Sequence, residues 1–182
     1  DLDHFMNEMR LIKNAAETGV MKKAAQISVE AHKRAMTFCQ PGIYEYELQA
    51  EIEHQFNKSG ASGPAYTSIV GGGKNACVLH YIENKDILKD GDLVLIDAGC
   101  EYENYAADIT RTFPVNGKFS TQQAAIYDIV LEALEQAIEV TQSGAPYNVT
   151  NETTIKVITE GLVNLGLLQG EVTELITSEA HR

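Results

Sequence analysis

The segment GDLVLIDAGCEYENYAADITRTFP, Gly91 to Pro114, constrains the fold of this chain more than any other. Leu93, Val94, Leu95 and Ile96 are apolar on both faces of any strand they form, the composition of a strand covered on both sides, and Asp97 follows directly. Polar residues intervene before a second strand-like run that begins at Asp108. A reversal at Tyr102-Glu103 makes the two runs an antiparallel hairpin and sets Asp97 opposite Asp108. Tyr102-Glu103 lacks the Gly or Asn that a tight primed turn favours, so a longer or bulged loop is the alternative. Directly opposed side chains lie roughly 5 Å apart, where like charges repel. A hard divalent cation between the carboxylates resolves that repulsion most simply. The competing reading leaves one aspartate exposed at a strand end and pairs the other with Arg111 or a backbone amide. Thr110, two residues from Asp108, shares its strand face and is placed to support either carboxylate.

Upstream, Leu2 to Lys13 is expected to form a short helix or the end of a connection. Val20, Ala24, Ile27, Ala31, Ala35 and Phe38 recur at steps of three and four and predict a helix over Glu17 to Phe38, ended by Gln40-Pro41-Gly42. Leu48, Ile52 and Phe56 predict a second helix from Tyr44 to Lys58. His32 and His54 sit among polar residues on these helices and read as surface histidines. Between Ser62 and Tyr81 the composition predicts two short strands around Gly71-Gly72-Gly73-Lys74, with His80 closing the apolar run Ala76 to Leu79 at a strand end. The glycine run is no phosphate loop, because Ser68 and Asn75 stand where that pattern needs a Gly and a Ser or Thr. Asp86, Asp90 and Asp92 lack the alternation and closing Glu of a calcium loop.

Downstream, Ser120 and Gln123 form a capping box opening a helix that should bury Ile126, Ile129, Val130, Ala133, Leu134, Ala137 and Ile138. Helices over Val149 to Leu165 and Glu171 to Ser178 follow, and no strand signal appears after residue 115. The two helical pairs align at an offset of 102 residues, Ile27 on Ile129 and Ala31 on Ala133, a weak internal repeat whose second copy lacks strands.

Composition narrows the functional classes. A net charge of −12 argues against nucleic-acid and anionic-lipid partners. No apolar run approaches the roughly 20 residues that span a bilayer, and nothing near the start has the form of a signal peptide. Cys39, Cys77 and Cys100 show no metal-type spacing, and their odd number suits a reducing, cytoplasmic compartment.

The segments AYTSIVGGGKNACVLHYIEN, GDLVLIDAGCEYENYAADITRTFPVNGKFS and IYDIVLEALE resemble the Xaa-Pro aminopeptidases of the pita-bread metallopeptidase family, over nearly the whole chain. The resemblance implies an α+β fold, an antiparallel sheet covered by helices and built as two pseudo-symmetric halves. Residues 1–115 correspond to the first half and 116–182 to the helical part of the second, so the chain is expected to be a truncated catalytic domain. By the same resemblance Asp97 is the first metal-binding aspartate and Asp108 the bridging one. His80 contacts substrate and stabilises the reacting centre, and Tyr66 lies near the substrate pocket. The implied cofactors are two divalent ions, usually manganese, sharing a hydroxide. The implied reaction is release of an N-terminal residue from peptides with proline second. One His and two Glu ligands are expected beyond Arg182, so the chain alone should be inactive or nearly so. Apolar faces awaiting those strands make association into a homo-oligomer an expectation too. Prolidase, which cleaves dipeptides, and a non-catalytic binding module of the same fold are the alternatives; retention of both aspartates disfavours the latter.

Overall fold

The structure, a computed structural model, describes residues 2–180. They divide into two compact units, one ending at Lys118 and the other beginning at Phe119.

The first unit opens with α1, Leu2–Leu11, which buries none of its residues, followed by α2, Ala15–Phe38, and α3, Glu45–Lys58. A capping box fixes the start of α2: Asn14 accepts from the Glu17 amide while the Glu17 side chain accepts from the Asn14 amide. Six short strands follow, β1 (Gly63–Pro64), β2 (Ile69–Gly72), β3 (Leu93–Asp97), β4 (Cys100–Tyr102), β5 (Tyr105–Ala106) and β6 (Thr110–Pro114). They form two antiparallel sheets, ordered β1-β4-β5 and β2-β3-β6.

The core lies between the two long helices and both sheets, α2 packing on β4 and β5 and α3 on β1 and β2. Leu48, Ile52 and Phe56 line the inner face of α3 with no exposed surface, and Ala24, Ala31 and Ala35 do the same on α2, where small side chains let the helix approach closely. Val94, Ile96 and Val70 meet them from the second sheet. Full burial of each large side chain contributes about 2 kcal/mol. β3 therefore alternates instead of being covered on both sides as its composition suggested: Val94 and Ile96 are buried, while Leu93, Leu95 and Asp97 are half-buried on the other face.

The reversal lies one residue later than expected. Glu103 and Asn104, both with φ near the left-handed region at 47° and 67°, form the turn, and Tyr102 pairs with Tyr105. Asn104 supplies the tolerance for positive φ that a two-residue primed turn demands. The ladder then sets Asp97 opposite Thr110, and Asp108 lies two residues before it, ahead of β6. Of the two strands expected around the glycine run only β2 forms. Gly73–Cys77 coil into a 3-10 turn, and beyond it Val78 and Leu79 stand 54% and 90% exposed.

In the second unit, α4 (Thr121–Val140) begins at the Ser120 and Gln123 capping box and packs on α5 (Val149–Asn164), which packs on α6 (Val172–Thr177). Gly161 of α5 permits this approach, since a Cβ there would fall within 2.7 Å of the Ile129 side chain. Of the face α4 was expected to bury, Ala133 is enclosed, whereas Ile126, Val130, Leu134 and Ile138 remain between 40% and 63% exposed. No described residue after Pro114 lies in a strand.

Candidate functional site

Four segments converge on one cavity of about 350 Å³ in the first unit, lined by Tyr66, Thr67, Ile69, His80, Ile82, Asp97 and Asp108. Asp97 ends β3, Asp108 precedes β6, Tyr66 stands in the link between β1 and β2, and His80 lies in the loop after the 3-10 turn. Two larger hollows, of about 560 and 620 Å³, are lined by other residues and touch neither Asp97 nor Asp108.

The two carboxylates meet through a hydroxyl. Tyr66 Oη lies 2.6 Å from Asp97 Oδ1 and 3.1 Å from Asp108 Oδ1. A phenol has one hydrogen to give, and the shorter contact assigns it to Asp97. Burial pushes the Tyr66 phenol far above its ordinary range, and its hydrogen bond to Asp97 and the charges of both aspartates push the same way, so it stays a donor. Neither aspartate takes part in an ion pair among the described residues. The Arg111 guanidinium donates instead to the carbonyl oxygen of its neighbour Thr110. Of the competing reading, the exposure of Asp108 is seen and the Arg111 pairing is not.

This donor set suits a hard cation in kind: two carboxylates within reach of one hydroxyl, oxygen ligands only, with no ion pair to either aspartate among the described residues. It falls short in number, because no group of three or more His, Cys, Asp or Glu is gathered among the described residues. Thr110 pairs across the ladder with Asp97, on the face its position predicted. His80 shares the cavity, though from an exposed loop at φ 55° and not from a strand end. The apolar run before it finds no ladder to join, so its composition misleads.

His32 is the residue that sequence reasoning misplaced. It is 3% exposed, and its Nε2 lies 3.0 Å from the carbonyl oxygen of Ala98, which can only accept, so Nε2 carries the hydrogen. Nδ1 is buried with no hydrogen-bond partner among the described residues. Burial pushes the imidazole pKa down, with the Arg111 charge adding to it against the pull of the Ala98 carbonyl. One turn earlier on α2, the buried Ser28 hydroxyl accepts from the Cys100 amide at 3.0 Å. The two side chains thus serve the backbone on either side of Gly99, where the chain passes from one sheet to the other. Ser28 and His32 fall on the Ala24, Ala31, Ala35 face, a signal the sequence carried.

Residues 19–177 match the profile of metallopeptidase family M24. The chain is 52% identical over 177 residues to the Xaa-Pro aminopeptidase of Escherichia coli K12, which covers 97% of this chain and 40% of that protein. It is 36% identical over 168 residues to the mitochondrial intermediate cleaving peptidase 55 of Arabidopsis thaliana, covering 92% of this chain and 34% of that relative. Among solved structures, the aminopeptidase PepP of Pseudomonas aeruginosa superposes with a TM-score of 0.96 at 56% identity, over 98% of this chain and 40% of that one. A zinc-substituted aminopeptidase P of Escherichia coli in complex with product superposes at 0.93 with 52% identity, over 96% of this chain and 40% of that one. The chain therefore spans about two fifths of the length of these relatives.

Proposed function

The chain belongs to metallopeptidase family M24 and carries part of its pita-bread fold, and from that premise we propose that it forms part of the catalytic domain of a metal-dependent aminopeptidase. The reaction proposed is hydrolysis of the first peptide bond of substrates with proline in second position. In this reading residues 1–115 form the first half of that domain and residues 116–182 the helical part of the second. The observation that carries it is the pairing of the Asp97 and Asp108 carboxylates through the Tyr66 hydroxyl, with His80 lining the same cavity.

Asp97 and Asp108 would hold divalent cations, proposed to be two manganese ions, which when bound supply polarisation of a peptide carbonyl and a water of lowered pKa. Ligands from outside these residues would complete the site, and this chain alone is expected to show little or no activity. Tyr66 orients Asp97 and lines the substrate pocket. His80 hydrogen-bonds the substrate at the reacting centre, and Thr110 stands beside Asp97 as its support. The described residues contain no helix long and apolar enough to cross a membrane. Three free cysteines support a cytoplasmic setting, and the open apolar face of α4 supports association into a homo-oligomer.

The test is release of the first residue from a peptide with proline second, by the intact protein and its Asp97→Asn, Asp108→Asn and His80→Ala variants. Losses of at least about 100-fold are expected for each aspartate variant. Turnover undiminished in either would sink the assignment.

A further inference from the structure

Glu45, the first residue of α3, is fully buried and has no cationic partner among the described residues. A lone carboxylate in that position is costly unless its oxygens are satisfied. Four donors do so: Oε1 accepts from the Gly72 amide at 2.8 Å and from Asn75 Nδ2 at 3.0 Å, and Oε2 accepts from the Tyr81 hydroxyl at 2.8 Å and from the Asp86 amide at 2.9 Å. Two donors on each oxygen meet the carboxylate's need for hydrogen-bond partners within the fold, and its place at the amino end of α3 suits an acidic side chain. The Glu45 amide in turn donates to the Asp86 carbonyl oxygen at 2.9 Å. Every one of the four donors belongs to the segment from Gly72 to Asp86, and none to α3 itself. Asn84, 2% exposed, closes a second tie, accepting from the Val70 amide and donating to Gln49 and to the Ser68 carbonyl. His80 stands between Asn75 and Tyr81, two of the groups that Glu45 holds, next to Tyr81 and at a positive φ of 55° that few residues with a side chain adopt.

We propose that Glu45 is a positioning residue for the cavity. Its carboxylate holds the 73–88 loop and, through Tyr81, sets where the His80 imidazole stands relative to Asp97 and Asp108. The proposal rests on the function given above for the importance of His80, but not for the anchoring of the loop. Burial and the hydrogen bond to Glu45 push the Tyr81 phenol up to about 12, so it remains a donor at any physiological pH.

Two measurements on the intact protein test it. Deuterium exchange of the 73–88 segment should accelerate in Glu45→Gln, and less strongly in the milder Tyr81→Phe, while α2 and the inner face of α3 keep their protection. Unchanged exchange in both variants overturns the anchor. Turnover of a peptide with proline second should fall about 10-fold in Tyr81→Phe, yet by less than about 2-fold when the same change is made in the His80→Ala background, because the tie acts through that imidazole. Equal falls in both backgrounds overturn the positioning role, since a merely structural loss is additive. Accelerated exchange together with full turnover in His80→Ala would overturn the role assigned to His80 in catalysis, and with it the positioning role, and would leave the anchor standing.

Discussion

Tyr66 places its hydroxyl 2.6 Å from Asp97 Oδ1, closer than to any other acid it touches. That hydrogen bond is charge-assisted and only partly shielded, so Tyr66→Phe should destabilise the first unit by about 1–2 kcal/mol. Urea unfolding reads the loss. A midpoint equal to that of the parent would show that the hydroxyl merely rests between the carboxylates.

Manganese titrated into this chain should bind weakly, because two carboxylates provide few of the roughly six ligands a hard ion takes. Asp97→Asn should reduce whatever heat of binding calorimetry detects. Tight binding untouched by that substitution would move the metal elsewhere.

His32 ties stability to pH. Its folded pKa is depressed by burial, so above the unfolded value of about 6.5 both states are neutral there and the contribution is intact. As pH falls below about 6.5 the unfolded chain takes up the proton first, and stability declines until the depressed folded pKa is passed. Between pH 7 and pH 5 the parent should therefore lose more unfolding free energy than His32→Gln, which keeps a donor but does not titrate. Equal losses would show that His32 charges freely in the folded state.

Gly99 tolerates no side chain. A Cβ built there would lie 1.8 Å from the Ala107 carbonyl oxygen, and that neighbour is backbone that cannot rotate away. Gly99→Ala should cost about 3 kcal/mol or more, at the upper end for overpacking. A thermal midpoint within a degree or two of the parent would mean that the strands on either side of the crossing part easily.

The helices were legible because burial on one face leaves a period in the sequence, as Ala24, Ile27, Ala31 and Ala35 show. The same period includes Ser28 and His32, whose place on the buried face is legible in the sequence while the backbone groups they serve, the Cys100 amide and the Ala98 carbonyl, are not. The pairing of Asp97 missed by two residues, from Asp108 to Thr110. An even slip preserves the face of paired residues, and the contact that brings the two carboxylates together is the Tyr66 hydroxyl, which reaches both. The run from Ala76 to Leu79 shows the limit of composition: its residues suit a strand, but the segment starts in a 3-10 turn and is flanked by Asn75 and Tyr81, both tied to Glu45, about 30 residues earlier in the chain.

The Glu103-Asn104 turn also bears on the order in which the site assembles. It joins strand partners that lie close in sequence, beginning with Tyr102 and Tyr105, so the hairpin carrying both aspartates closes as a local event. Tyr66 must arrive across separations of 31 and 42 residues. The acidic pair is then brought together before the hydroxyl that reconciles it, and that repulsion falls on the folding barrier and not on the native state alone. φ-values high at Ile96 and near zero at Tyr66 would record that sequence of events, and the reverse pattern would exclude it.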